Sequence, residues 1–507
     1  MNESRPARAI AIAAPFVWDA SALVWPALCL CGAIGAIAPL WVGRFLPFQD
    51  APQHLAAIRV LAEYHSPRFA FEKWFEIDLL RSQYLGFYLP AAGLSRLFGP
   101  EAACRLVLSV IALAIPAASW MFLRSLGRDV RLAVFSPALF HTAPLYLGFF
   151  NFVASIPATI FVLALVEREL RAPRVGRAAL LAIAAVALLY LHPSALALAI
   201  GASAVLGVSA GAGVRRVVRA LAPFIAALAL LGAWMAHALF GQSAATVGSK
   251  LPRWEPVRER FLDFLRLGNV LAGHADEVFV AALFALWVLA ALVPGRPTQA
   301  RWWRLPLLVA LIGVVYFAVP ESFGAAGSMH LRALPLLAAL LLATPLLAPG
   351  RLTSALLVSA VVVQLAYDAK LSSAYRAFEV EAEAPQLEEL LRQAEPGKRL
   401  LSLVHQRESR VVQFQAYQHF GMYYQVERGG RARRNFAELP WTPVRFRKGT
   451  EVVSLPPGFE EHPEWFNPQR DGADEDYLLV RAGSSEPGAP FVVKAHAGRW
   501  TLYRAVR

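Results

Sequence analysis

Residues 174–193 read Arg174-Val-Gly-Arg177-Ala-Ala-Leu-Leu-Ala-Ile-Ala-Ala-Val-Ala-Leu-Leu-Tyr-Leu191-His192-Pro193. Two arginines stand before an apolar block, and an uncharged His-Pro pair stands after it. A helix is the only open-ended backbone that can sit in hydrocarbon with its own N–H and C=O groups paired. A block of this kind therefore predicts a membrane helix with a positively charged end and an uncharged end. Working outward, the same pattern recurs along the chain. Apolar blocks fall at about 21–43, 101–123, 132–148, 149–167, 178–191, 194–212, 217–240, 279–294, 305–319, 332–348 and 352–368. Several reach or approach the roughly 20 residues needed to cross a bilayer. The whole chain of 507 residues is 57% hydrophobic and 17% charged, well below the ~25% charged of an ordinary soluble domain. The expectation is an α-helical, polytopic membrane protein of about eleven transmembrane helices.

The connectors divide by charge. Arg5 and Arg8 precede the first block, and Arg124, Arg128 and Arg131 follow the second. Arg168, Arg171, Arg174 and Arg177 follow the fourth, Arg215, Arg216 and Arg219 the sixth, Arg296, Arg301 and Arg304 the eighth, and Arg351 the tenth. With alternating helices all of these fall on one side. The short connectors near Phe149–Phe150, His192–Pro193 and 320–326 carry no Lys or Arg. Cytoplasmic loops are the ones enriched in Lys and Arg, so the N-terminus is expected in the cytoplasm of a bacterial cell, with an odd number of spans. The first block then reads as a signal anchor. The net charge of +13 is accounted for by these connectors, and nucleic acid is not an expected partner. Cys29, Cys31 and Cys104 all lie in apolar blocks, so no disulfide framework is expected.

Three regions are left on the far side of the membrane: 44–100, 241–278 and everything after about residue 369. Segment 44–100 is too long and too aromatic for a plain connector. It holds an amphipathic stretch at 54–64, with Leu55, Ile58, Leu61 and Ala62 at helical spacing, and an apolar stretch at 84–98 broken by Pro90 and Gly93. Both are expected as interfacial helices. The transmembrane domain is expected over 1–368. From 369 to 507 the composition shifts to that of a small extracytoplasmic α/β domain, with strands expected at 399–404, 477–481, 491–494 and 499–504.

The first external loop opens Arg44-Phe-Leu-Pro-Phe-Gln-Asp50-Ala-Pro-Gln-His54. Pro52 suits the first turn of a helix, with Asp50 or Ala51 as N-cap and His54 one turn on. On spacing alone, a capping Asp50 with a surface His54 and a chemical role for the pair are both open. An acidic residue at the head of the first external loop, interfacial helices, about eleven spans and a C-terminal outer domain together resemble the GT-C superfamily of membrane glycosyltransferases. The Asp-Ala-Pro-Gln-His form also resembles an Asp-x-Pro-x-His motif of bacterial membrane proteins of that type. The resemblance implies a polyprenyl-phosphate-linked sugar as donor, a glycan, lipid or protein acceptor, membrane lipid as surroundings, and Asp50 as general base or as the group that helps position the acceptor or a metal. It leaves open a divalent cation. A hydroxyl becomes an effective nucleophile only as a base takes its proton, and a phosphate leaving group needs positive charge or N–H donors.

Candidates for those donors lie in the loop Pro320-Glu321-Ser-Phe-Gly-Ala-Ala-Gly-Ser-Met-His330-Leu-Arg332. It is glycine-rich and ends with His330 and Arg332 at a helix start. Arg332 reaching to lipid headgroups and Glu321 as a solvated turn residue are the plainer readings. Asn151, at the start of a span, is a further candidate, and His141, His192 and Glu167 are polar groups within or beside spans. Glu167 is expected to pair with Arg168 or Arg171. Segment 241–278 interleaves Lys250, Arg253, Arg258, Arg260 and Arg266 with Trp254, Phe261 and Phe264, as in a surface-anchoring helix. His274, Asp276 and Glu277 lack a settled metal-ligand spacing. Tyr417–Tyr424 and the glycines at 429 and 430 form an aromatic stretch in the outer domain, with no role assigned. Rival readings are a transporter or flippase, which would favour paired broken helices, and a non-catalytic scaffold.

Overall fold

A computed structural model of the chain describes residues 20–241, 251–267, 270–293, 301–323, 327–439, 441–450, 455–456, 458–483 and 486–506. Arg5, Arg8, Lys250 and Arg296 lie outside the described residues. Among the described residues, four helices are long and apolar enough to cross a membrane: Leu23–Trp41, Pro100–Leu126, Phe150–Arg171 and Arg351–Glu381. The pair Val214–Leu221 and Phe224–Ala236 passes the same test together, bent by 51°. Shorter apolar helices are Val175–Leu191, Pro193–Ser209, Glu277–Leu292, Arg304–Ala318 and His330–Leu342.

The block at 132–148, expected as one helix, is not one. It is a 3₁₀ helix over Val130–Leu139, a turn, and a short helix over Ala143–Leu147 that stops at Gly148. Pro137 and Pro144 lack the N–H that an α-helix interior uses. Irregular backbone among membrane helices survives where protein covers it, and residues 132–137 and 139–146 are all buried. His141, expected mid-helix, sits in the turn and donates from Nε2 to the Ala36 carbonyl at 2.8 Å. The segment still runs the length of the bundle. Arg131, near its start, reaches the Ala348 carbonyl, and Gly148 ends against Asp50.

The arginine-bearing connectors meet one another. Arg128 donates to the Trp302 carbonyl at 2.8 Å, and Arg219 lies 3.6 Å from Glu169. Glu167 is 1% exposed; its principal partner is not a neighbour on its own helix but Arg304, which grips both oxygens at 2.9 and 2.8 Å. Arg171 adds a bond of 3.1 Å to one of them. A buried charge that loses its partner keeps its desolvation cost. Arg304→Leu should therefore destabilise the fold by about 3 kcal/mol, the low end of that range because Arg171 remains. Thermal unfolding in detergent should show the loss and its partial recovery in Arg304→Leu/Glu167→Leu.

At the other end lie the first loop and the C-terminal region. The helix Ala51–Glu63 was expected to lie on an interface with one face free. Instead it is buried on nearly every side, packed between Leu85–Phe98 and Met422–Arg428. The C-terminal domain supplies the cover that its sequence neighbours do not. Strand β1 (Phe75–Ile77) carries this further. Five of the remaining strands are β2 (Arg399–Val404), β3 (Arg431–Ala432), β4 (Val444–Phe446), β5 (Tyr477–Arg481) and β6 (Phe491–Ala497), followed by β7 (Trp500–Ala505). β1 pairs antiparallel with β4, Phe75 opposite Phe446, so one small sheet spans first loop and C-terminal domain. The larger sheet has the order β3-β2-β5-β7-β6, parallel at β3-β2-β5 and antiparallel beyond. Its central strand, Tyr477-Leu-Leu-Val-Arg481, is buried throughout, as a strand covered on both faces must be. All four strands expected from sequence lie in this sheet.

Candidate active site

Asp50 takes the N-cap position of Ala51–Glu63, with Pro52 in the first turn, yet its carboxylate makes no capping hydrogen bond. Its Oδ1 lies 3.2 Å from Nε2 of His419 in the C-terminal domain. The backbone is fixed beside it, since Gln49 N–H donates to the Tyr146 carbonyl at 2.8 Å. Gly148 presses against Asp50 with φ +89°, and a Cβ there would lie 2.6 Å from the Asp50 Cβ. Only glycine meets both conditions without strain.

His54 is not a surface residue. It is 6% exposed, donates from Nε2 to the Gly148 carbonyl at 2.6 Å and has Nδ1 at 2.7 Å from the Tyr88 hydroxyl. A carbonyl only accepts, so the ring proton is on Nε2 and Nδ1 takes the Tyr88 proton. Burial pushes the imidazole down to about 4. His54 is thus a neutral strut between the Asp50 loop and the Gly148 turn, with both nitrogens engaged.

These groups border a cavity of about 310 Å³. Asp50, His54, Asn151, His192 and Arg332 all line it, together with the rings of Tyr84, Tyr88, Phe149, Phe436 and Trp441. Asn151 Oδ1 accepts the Phe87 N–H at 3.3 Å. His192 caps the helix that follows it, accepting from the Ser194 N–H at 3.3 Å. Arg332 donates to the Gly327 carbonyl at 3.3 Å and lies over the Phe149 ring at 5.5 Å. Its Nε is buried with no hydrogen-bond partner, and no carboxylate pairs with it among the described residues. The cavity therefore presents a carboxylate and an uncompensated guanidinium between aromatic walls. That pairing suits a ligand with a polar, anionic head and a hydroxyl-bearing ring.

Two of the sequence candidates lie elsewhere. Neither His330 nor Glu321 lines the cavity. Glu321 closes its own loop through Ser328 and Met329. His330 is 2% exposed and has Nε2 3.2 Å from Glu255 and 3.5 Å from Asp263. Ligand atoms of Glu255, Asp263 and His330 lie within 4.8 Å of one another, so these three could hold a divalent cation. Asp276 instead accepts the backbone N–H groups of Val270 and Leu271. A second, almost wholly apolar cavity of about 480 Å³ lies between Phe135, Phe264, Phe284, Trp287, Leu341 and Tyr367.

The residues that sequence reasoning missed come mainly from the C-terminal domain: His419, Phe436, Leu439, Trp441 and Thr442. Gly148, Tyr84 and Tyr88 were missed as well. His419 lies within the aromatic stretch 417–424, whose composition alone assigns it no role. Nothing local marks the others: Tyr88 and Gly148 meet His54 from 34 and 94 residues away, and Phe436 meets Gln53 from 383.

No protein-family model matches the sequence, and no curated protein matches it. Solved structures do match in fold across nearly the whole chain, two of which follow. The crystal structure of ArnT from Cupriavidus metallidurans in the apo state has a TM-score of 0.55 at 14% identity, covering 96% of this chain and 98% of that one. The crystal structure of ArnT from the same organism bound to undecaprenyl phosphate has a TM-score of 0.56 at 12% identity, with the same coverage. The resemblance to GT-C membrane proteins, first drawn from the Asp50 loop and the layout of spans, holds at the level of the fold.

Proposed function

We propose that this GT-C-fold chain is a glycosyltransferase that moves a sugar from a polyprenyl-phosphate-linked donor to an acceptor on the outer face of a bacterial cytoplasmic membrane. The observation that carries the reading is the cavity in which Asp50 and the unpaired Arg332 share aromatic walls. In the reaction an acceptor hydroxyl attacks the anomeric carbon, the bond from that carbon to the phosphate oxygen breaks, and polyprenyl phosphate leaves. Asp50 takes the hydroxyl proton. Arg332 meets the charge gathering on the phosphate, and Tyr84, Tyr88 and Trp441 supply faces for the sugar. The 480 Å³ apolar cavity suits part of a prenyl chain, and the binding of undecaprenyl phosphate by the structural neighbour supports that class of donor. The meeting of the arginine connectors at the opposite end supports a cytoplasmic N-terminus and an extracytoplasmic 369–507. A divalent cation, where the protein binds one, would sit on Glu255, Asp263 and His330, outside this cavity.

The test is transfer from radiolabelled polyprenyl-phosphate sugars by the purified protein in liposomes. Release of polyprenyl phosphate with labelled acceptor is the expected result. Arg332→Met should raise the KM for the lipid donor roughly 10–100-fold, the worth of one or two charge-assisted hydrogen bonds. A wild-type protein that releases no polyprenyl phosphate from the lipid-linked sugars of its own membrane would overturn the reading.

A further inference from the structure

Gln53, three residues past Asp50, fixes more than its own position. Its Oε1 accepts the Phe436 N–H at 3.1 Å, and its Nε2 donates to the Arg434 carbonyl at 2.5 Å. Turning the amide over would set NH₂ against an N–H and oxygen against a carbonyl, so this orientation is dictated by the backbone. The second hydrogen on Nε2 is thereby aimed at His419 Nδ1, 3.2 Å away. In the neutral imidazole Nδ1 must then be the acceptor, and the ring proton sits on Nε2. That N–H points at Asp50 Oδ1, 3.2 Å away.

We propose that His419 is a positioning residue for Asp50, its neutral imidazole holding Oδ1 through Nε2–H in a tautomer set by Gln53, so that Oδ2 is kept for the acceptor proton. The proposal rests on the reading of Asp50 as the base. It explains why a carboxylate at an N-cap position makes no capping bond: its orientation is taken from the C-terminal domain instead. It also gives the site an acid limit. A second proton on the ring goes to Nδ1, which faces the Gln53 amide and Glu460 Oε1, 3.7 Å away. A cavity of about 20 Å³ bordered by Ser402, Gln418, His419 and Glu460 gives that nitrogen room for about one water. The resulting cation, beside Asp50, makes the carboxylate a weaker base.

The charged groups facing His419 set where this happens. Asp50 comes from the first loop, His54 from the following helix, and Arg434 and Glu460 from the C-terminal domain. Glu460 accepts from Arg434 and Gln418, each at 2.8 Å. Burial raises its pKa, but Arg434 and His419 more than offset that and hold it at about 2, ionised at any working pH. Burial likewise pushes His419 down, but the bond to Asp50 and the charge of Glu460 outweigh it and leave it above the ordinary 6.5. His419 is therefore cationic below its raised pKa and neutral above it, and transfer should fall as pH drops through that value.

The experiment compares pH–rate profiles of wild type, His419→Phe and His419→Gln at saturating donor and acceptor, with Asp50→Asn as control. His419→Phe should lower kcat roughly tenfold or more with the donor KM nearly unchanged. His419→Gln places an amide N–H near the position of Nε2 and cannot titrate. It should recover most of the lost rate and move the acid limb to lower pH. Thermal midpoints close to wild type for His419→Gln separate this from a folding defect. A His419→Phe protein with wild-type kcat and profile overturns the inference, as does a His419→Gln protein whose acid limb stays at the wild-type pH. A wild type without transfer, or a fully active Asp50→Asn, instead overturns the reading beneath it.

Discussion

Asp50→Asn is expected to lower kcat for sugar transfer by a factor of about 10²–10⁴, the usual worth of a positioned general base. The amide is nearly the same size as the carboxylate, and its oxygen can still accept the His419 Nε2–H, so the surrounding contacts survive. What it cannot do is take a proton from the acceptor. Expression, detergent stability and binding of the lipid donor should therefore stay near wild type while turnover collapses. The measurement is single-turnover transfer under saturating conditions, which separates chemistry from binding. Full activity in Asp50→Asn would remove Asp50 from the mechanism and leave the cavity without a base.

The second large effect is expected from a residue that carries no chemistry. Gly148→Ala places a methyl group 2.6 Å from the Asp50 Cβ, 2.9 Å from its backbone nitrogen and 3.0 Å from its Cα. Backbone atoms cannot swing aside as a long side chain can, so the Asp50 loop must move. The left-handed backbone adds strain of roughly 1–3 kcal/mol for a non-glycine residue. A displacement of about 1 Å at a catalytic group can cost roughly 10² in rate, and that is the loss expected here. The same shift would also loosen the bond from His54 to the Gly148 carbonyl. A Gly148→Ala protein with wild-type turnover would show that the loop tolerates the shift.

The sequence made some of this legible and hid the rest for physical reasons. Apolar blocks such as 178–191 announce themselves because hydrocarbon admits little else, and the strands at 399–404 and 477–481 carry apolar runs bounded by turns. The block at 132–148 was equally apolar and misled for that reason: hydropathy reports burial, while Pro137 and Pro144 decide the backbone. Asp50, His54, Asn151 and Arg332 share a cavity, but His330 and Glu321, read from the same loop as Arg332, turn away from it. Loop proximity does not specify which way a side chain points. Gln53, His419 and Arg434 were invisible as a unit because 366 and 381 residues separate Gln53 from its partners. The partnership of Glu167 with Arg304 was hidden similarly, since nearer arginines on its own helix looked sufficient.

The pairing of β1 with β4, and of Asp50 with His419, has a consequence for the life of the protein before it is finished. A ribosome has made the first loop long before it reaches residue 419. Until then the spans can enter the bilayer, but the helix Ala51–Glu63 lacks its cover, Asp50 lacks its hydrogen-bond donor, and Phe436 to Thr442 are missing from the cavity wall. On the proposed function, a half-made chain would sit among activated lipid-linked sugars without a site to waste them on water. On the same reading, the site is competent only once residues 419–442 are made and folded against the first loop.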